Sequence, residues 1–270
     1  MTPKEMLWAA IVLVVLGGAG AGYYFYTRGQ TEAAPPTTEQ VPAESLTPSE
    51  VVEDTTPKYP VPEDAAGDAT PLPPVNESDA VVVETLGGAF GKPTIEQFLN
   101  PQNVVRHFVV TVDNLPRKKL SVERRPVKPV AGSLIVSDDM GPEEAVTLGA
   151  ANYARYAPMI QLLQSTETPT IVATYRRLYP LLQQAYEDLG YPGKHFNDRL
   201  VEVIDHLLET PDVNGPVKLV RPNVFYQYAN PALEERSAGQ KLLIRMGPKN
   251  AAIVKEKLRE LRQAITTPAG

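Results

Sequence analysis

The residues of this chain whose types and spacing could do chemistry are concentrated in the segment 195–206. Two histidines and three carboxylates lie there: His195, Asp198, Glu202, Asp205 and His206. Residues four apart are neighbours on a helix, so Glu202 and His206 would lie side by side. Carboxylate oxygens and imidazole nitrogens are ligands of several divalent metals. The alternative is a solvated polar face on which Arg199 pairs with Glu202. An arginine among the carboxylates favours this alternative, and we predict no metal and no other cofactor.

A second candidate is an anion site at the start of a helix that begins at Ser237. The first backbone N–H groups of a helix and the positive end of its dipole attract carboxylates and phosphates. Arg236, Lys241 and Arg245 lie close to this point in sequence, and Ser237 with Gln240 fits a capping box. The glycine spacing of a phosphate-binding P-loop is absent. The competing interpretation, which we favour, is a capped helix with a basic outer face.

A third candidate is a basic loop that follows Pro116. Its cationic residues are Arg117, Lys118, Lys119, Arg124 and Arg125. No aromatic residue is interleaved with them for base stacking, so nucleic acid is not a predicted partner. An anionic envelope polymer or an acidic partner protein would suit such a loop. The alternative is an ordinary solvated loop.

The parts of the common hydrolase mechanisms are missing from the sequence. The chain has three histidines and no cysteine, and it lacks the Gly-x-Ser-x-Gly, Ser-x-x-Lys and His-Glu-x-x-His motifs. A carboxylate pair that hydrolyses glycans has no fixed spacing, so this chemistry stays open.

The segment 7–26 contains no charge, and it indicates the location of the protein in the cell. A helix of this length spans a hydrocarbon core of about 30 Å. Ala19-Gly20-Ala21 would also suit cleavage of a signal peptide, but the weakly basic start favours an uncleaved membrane helix. Gly18 and Gly22 have the spacing that would allow a weak homodimer through this helix.

The sequence that follows the membrane segment predicts a disordered linker. Residues 29–79 hold ten prolines and few large apolar residues, so they cannot bury enough surface to fold. Residues 29–100 carry two lysines and thirteen acidic residues, which leaves little positive charge to keep this part in the cytoplasm. We therefore expect residues 1–6 in the cytoplasm and the carboxyl-terminal part outside it.

The remaining residues, 80–265, predict a single mainly helical domain with a few short β-strands. Predicted helices cover 101–114 (with a strand as the alternative), 152–163, 168–190 with Pro180 inside it, 196–209, a segment from 237, and a last helix to 265. Short strands are predicted at 134–136, 217–220 and 224–228, the last two as a hairpin. The helices 168–190 and 196–209 have the strongest apolar stripes and a short connection, so we expect their pairing to form the centre of the domain.

Several blocks of this domain resemble one bacterial family. The blocks are FVVTVDNLPR (108–117), NYARY (152–156), YPLLQQAYEDLGYP (179–192), FNDRLVEVIDHLLETP (196–211) and SAGQKLLIRMGPKN (237–250). They resemble the family catalogued as domain of unknown function 3014, over nearly all of residues 80–265. The resemblance implies a Gram-negative envelope protein with an amino-terminal membrane segment, and it implies no catalytic residues.

Two functions follow as hypotheses. The first is a single-pass protein of the inner membrane whose periplasmic domain is an interaction or scaffolding module. Its partner would be an envelope protein or an anionic polymer. The alternative is an envelope hydrolase that acts on a glycan or cell-wall polymer through a carboxylate pair.

Overall fold

The structure, a computed structural model, describes residues 56–62, 71–121, 123–137, 146–222 and 225–267. The predicted membrane helix 7–26, the cytoplasmic end 1–6 and most of the predicted linker lie outside the described residues. Among the described residues, no helix has both the length and the apolar character needed to cross a membrane.

The described chain is mainly helical and carries one small sheet. A 3₁₀ turn, Val75–Glu77, precedes the helices α1 Asp79–Phe90, α2 Lys92–Phe98, α3 Val104–Asn114, α4 Ala150–Ala154, α5 Ala157–Gln164, α6 Thr168–Asp188, α7 Phe196–Leu208, α8 Pro231–Glu234, α9 Ala238–Arg245 and α10 Pro248–Thr266. The strands are β1 Val136–Ser137, β2 Val146–Leu148, β3 Lys218–Val220 and β4 Gln227–Tyr228. The predicted fold class of the domain is therefore confirmed.

The two longest predicted helices exist, but their mutual packing is not the centre of the domain. The helix α7 packs most extensively against α10, and α6 packs most extensively against α3. The contact between α6 and α7 is smaller than either. A short turn brings only the adjacent ends of two helices together, whereas a wide apolar stripe can face two other neighbours. Pro180 is exposed on α6, which continues through it.

The start of α3 differs from the predicted one. The helix begins at Val104, not at Pro101. The N–H groups at its start, which have no partner within the helix, are bound by a side chain of α1. The carboxylate of Asp79, at the start of α1, accepts hydrogen bonds from the backbone N–H groups of Asn103 and Val104, at 2.7 and 2.9 Å. The predicted cap, Asn100, instead donates its side-chain amide to the carbonyl of Arg125. The strand alternative for this segment is wrong.

The sheet forms a second, smaller core. Its strands are antiparallel and lie in sequence order, and the predicted hairpin is confirmed as β3 and β4. The strand predicted at 134–136 is β1, which begins at Val136. Leu148, Leu219 and Tyr228 are buried together with Ile244 of α9. The sheet is thus held against the helix that precedes α10.

Part of the predicted linker, which the predicted boundary near residue 80 placed outside the domain, contacts the folded part. Residues 56–62, called the strap below, lie along the start of α7. The backbone N–H groups of Lys58 and Tyr59 donate to the carboxylate of Asp198 at 2.9 and 2.8 Å. The amide of Asn197 donates to the carbonyl of Tyr59 at 2.8 Å. Val75 is also buried in the main core. A composition rich in proline does not prevent docking when the domain offers partners for the backbone.

Candidate functional site

A polar cleft lies beside the first two turns of α7, and its volume is about 480 Å³. It is bounded by the strap, the ends of α3 and α6, the turn between α6 and α7, and α7 itself. The residues that line it are Thr56, Asp113, Tyr186, Tyr191, Gly193, Lys194, His195, Asp198, Arg199 and Glu202. Three of the five residues of the predicted polar face, His195, Asp198 and Glu202, are therefore brought to one cleft.

The turn between α6 and α7 forms the aromatic wall of the cleft. Gly190 and Gly193 have positive φ angles of 109° and 74°, which let the chain reverse tightly around Tyr191. The Tyr191 ring consequently stacks on the ring of Tyr186, with centroids 4.7 Å apart and an interplanar angle of 21°. Burial raises the pKa of Tyr186 to about 12, so its hydroxyl group is neutral at physiological pH.

The charged centre of the cleft is the ion pair of Asp113 and Arg199. The side chain of Asp113 is only 4% exposed, and its Oδ1 accepts a hydrogen bond from Nε of Arg199 at 3.0 Å. The two Nη atoms of Arg199 donate to the Asp113 carbonyl at 3.0 Å and to Oε2 of Glu202 at 3.1 Å. Arg117 donates to the second carboxylate oxygen of Asp113 at 2.7 Å. Every nitrogen of the Arg199 guanidinium group is thus bound, and its orientation is fixed.

The protonation of this group is equally fixed. Burial opposes the charge of Arg199, but its hydrogen bonds to Glu202 and Asp113 and the charges of these two residues outweigh burial and raise its pKa. The carboxylates of Asp113 and Glu202 both accept hydrogen bonds from this one guanidinium group. A glycosidase uses its two carboxylates in different roles, one as a general acid and one as a base or nucleophile. Here the two carboxylates share one role, which is to hold Arg199.

The other residues of the predicted polar face are used separately. Both carboxylate oxygens of Asp198 accept from the strap, as described above. Asp205 forms an ion pair with Arg262 of α10. The Nε2 atom of His206 lies 2.8 Å from the hydroxyl oxygen of Ser237. Among the residues that the structure describes, no group of three His, Cys, Asp or Glu side chains could hold a metal ion.

The start of α9, where the sequence suggested an anion site, is closed by the protein itself. The Ser237 hydroxyl accepts from the N–H of Gln240 at 3.2 Å, which is the predicted cap. The N–H groups of Ala238 and Gly239 donate to the carbonyls of Arg117 and Leu115, at 2.7 and 2.9 Å. A Cβ atom at residue 239 would lie 2.6 Å from the end of the Leu207 side chain and 3.1 Å from the Leu115 carbonyl oxygen, so a larger residue here would force its neighbours to shift.

The remaining residues of that candidate do not converge on the helix start. Lys241 forms an ion pair with Glu234 at 2.8 Å, and Arg236 is partly buried. Arg245 lies in the last turn of α9, at the opposite end. The side chain of Gln240 donates to the His206 carbonyl and not to Ser237, so the reciprocal half of the capping box is absent. The geometry gives an anion no free N–H groups at this position.

The predicted basic loop is not a continuous cationic surface. Arg117 is paired with Asp113, and Lys118 is paired with Glu235 at 2.6 Å. Arg125 is 3% exposed, and burial lowers the pKa of its guanidinium group. Lys119 and Arg124 are exposed. Of the five cations, one is thus buried and two are paired with carboxylates.

Sequence reasoning missed Asp113, Tyr186 and Tyr191 as cleft residues. A signal was present for Asp113, because it interrupts the apolar face of the segment VVTVD and has to be paired when buried. The contact of the two tyrosines depends on the tight turn between them, which the residues at 190–193 indicate without giving its direction.

The fold and the cleft together define a mainly helical domain with a polar cleft beside α7. The family described as Protein of unknown function (DUF3014) matches residues 104–262, which is more than half of the chain. The chain therefore belongs to this family, and the resemblance seen in its sequence blocks is confirmed. The matched range includes every cleft residue except Thr56. No curated protein and no solved structure matches the chain.

Proposed function

We propose that this protein is a membrane-tethered interaction module of the bacterial cell envelope, and that its periplasmic domain binds another envelope protein through the polar cleft. The uncharged segment 7–26 and the acidic, proline-rich sequence after it support a tethered domain on the outer side of the inner membrane.

The observation that carries the recognition role is the network around Arg199. Its guanidinium group and the Asp113 carboxylate are held in place before any ligand arrives, so binding would not require them to be ordered. The stacked pair of Tyr186 and Tyr191 adds a rigid aromatic wall. A volume of about 480 Å³ lies within the usual range of ligand pockets, about 300–1,000 Å³.

The strap supports a peptide segment as the partner. It is a proline-containing stretch whose backbone N–H and carbonyl groups bind Asp198 and Asn197, and its first described residue, Thr56, lies in the cleft. The margin of the cleft therefore already recognises a peptide backbone. Cationic and acidic groups in the same cleft suit a peptide with both donors and acceptors better than a uniformly anionic polymer.

Photo-crosslinking in cells tests this proposal with a matched control. Glu202 and Glu256 each have a side chain that is 67% exposed and pairs with an arginine three residues away, but only Glu202 lies in the cleft. A photoreactive residue at 202 should give a discrete protein adduct, and the same residue at 256 should not.

The adduct should also weaken when Tyr191 is replaced by alanine, since the aromatic wall is then lost. Equal adducts from positions 202 and 256, or adducts at 202 that contain glycan and no protein, would contradict the proposal. A reporter fused after Gly270 that is active only in the cytoplasm would overturn the proposed topology.

A further inference from the structure

The main core contains an apolar cavity of about 170 Å³ that is separate from the polar cleft. Its lining comes from α1, α2, α3, α6, α7, α10 and the segment around residue 127, and it shares no residue with the cleft. Folded cores normally contain few voids larger than a water molecule. A cavity of this size among the helices is therefore unusual, and a bound ligand would explain it.

The lining side chains give water nothing to bind. Only Thr174 and Tyr175 among them carry polar atoms. The Thr174 hydroxyl donates to the carbonyl of Thr170 at 2.9 Å, and the Tyr175 hydroxyl donates to Oδ1 of Asn197 at 2.8 Å. A buried water usually needs two to four polar partners, and an apolar cavity of about 150 Å³ stays dry and accepts benzene or xenon.

We propose that this cavity is a binding site for an uncharged hydrocarbon group of the size of one ring or the end of an alkyl chain. The size fits, the lining is aliphatic and aromatic, and no side-chain charge among the lining residues would meet a charged ligand. Leu86, Phe108 and Leu200 line the cavity but are only half-buried. The cavity therefore approaches the surface, which gives a ligand a route that does not require unfolding of the whole domain.

Two valines on α3 provide a matched test. Val112 is 4% exposed and lines the cavity, whereas Val109, one turn earlier, is fully buried and does not line it. The Val112→Phe substitution should fill the space and keep the melting temperature close to that of the full-length wild type. The Val109→Phe substitution should lower the melting temperature strongly, because a closely packed site cannot accept the larger side chain.

Ligand binding is then measured with benzene and n-hexane as probes. At about 100 times the dissociation constant, a bound probe should raise the melting temperature of the wild type by about 5–10 °C. The Val112→Phe protein should lose this shift. Xenon, followed by the ¹²⁹Xe chemical shift, should show saturable binding to the wild type that benzene displaces.

Each result decides the proposal. A shift by either hydrocarbon that Val112→Phe removes supports it. If Val112→Phe does not fold, the smaller pair Val112→Ile and Val109→Ile replaces it. The melting temperature should then stay at or above that of the wild type for the first and fall for the second. Wild-type protein that shows no shift with either hydrocarbon and no saturable xenon binding would overturn the proposal.

Discussion

The two sides of α7 have opposite environments, one polar and one apolar. On one side, Asp198 and Arg199 are bound in fixed directions by hydrogen bonds to the strap and to Asp113. On the other side, Val203 and Ile204 are buried and border the apolar cavity. The difference follows from the forces involved. Hydrogen bonds have preferred distances and angles, whereas apolar burial is non-directional and leaves the exact fit to packing. In this helix the polar side is the more precisely constructed of the two.

The largest expected effect is on the polar side. Arg199→Ala removes one of the two cations of the buried Asp113 carboxylate and also leaves the Asp113 carbonyl without its donor. We expect a loss of about 3–5 kcal/mol in the free energy of unfolding, measured by urea denaturation of a chain that begins at residue 56. Arg259→Ala, which breaks an exposed pair with Glu256, is the control and should cost less than about 1 kcal/mol. Similar losses for the two variants would mean that the polar side is not more constrained than an ordinary surface.

On the apolar side, truncations should cost less than is usual for a core. Leu182→Ala and Ile204→Ala remove side chains that border the cavity and therefore have fewer contacts to lose. We expect each to cost about 2–3 kcal/mol, at the low end of the range for such truncations. Leu243→Ala, at a buried position away from the cavity, should cost about 4–5 kcal/mol in the same denaturation experiment. Equal costs at the three positions would indicate that the space is filled in solution.

The strap should respond separately from the helices. Asp198→Ala removes the acceptor of two backbone N–H groups, and we expect a loss of about 1–2 kcal/mol. Limited proteolysis measures the local effect, because a released strap exposes the peptide bond after Lys58 to trypsin. Cleavage there should become faster while the core helices remain resistant. Uniformly faster cleavage throughout the domain would show that the strap is not a separate unit.

The smallest effect is expected at Glu202, four residues further along the same side. Its side chain is 67% exposed, so Glu202→Ala should cost less than about 1 kcal/mol by urea denaturation. The same variant should weaken capture of the partner by the cleft in a cellular pull-down. A loss of stability as large as that of Arg199→Ala would place Glu202 among the structural residues of the network.

The helices α6 and α7 were predictable because their apolar residues recur every three or four positions. The helices that pack against them were not predictable, because an apolar stripe indicates that a face is buried but not which helix covers it. Asp79 shows the same limit for helix ends. The cap of α3 comes from a residue 24 positions earlier, so no local motif could reveal it.

The candidate site was predictable in part for a similar reason. His195, Asp198 and Glu202 were found because charged residues on one helix are visible in the sequence. Asp113 and Tyr191 reach the same cleft only through the fold. Asp205 lies outside the cleft and pairs with Arg262, which is 57 positions further along the chain. The residues of one helix face need not share one surface when neighbouring helices cover different parts of it.

The attachment of the strap also determines how the domain would carry a mechanical load. Tension in the chain ahead of residue 56 would act on the strap, whose backbone N–H groups at Lys58 and Tyr59 are held by Asp198 at the first turn of α7. These bonds would break before the packed helices deform. The chain from residue 56 to residue 71 could then span at most about 50 Å, while the domain itself stays folded. Under such a load the strap would therefore detach before the helices beside the cleft unfold.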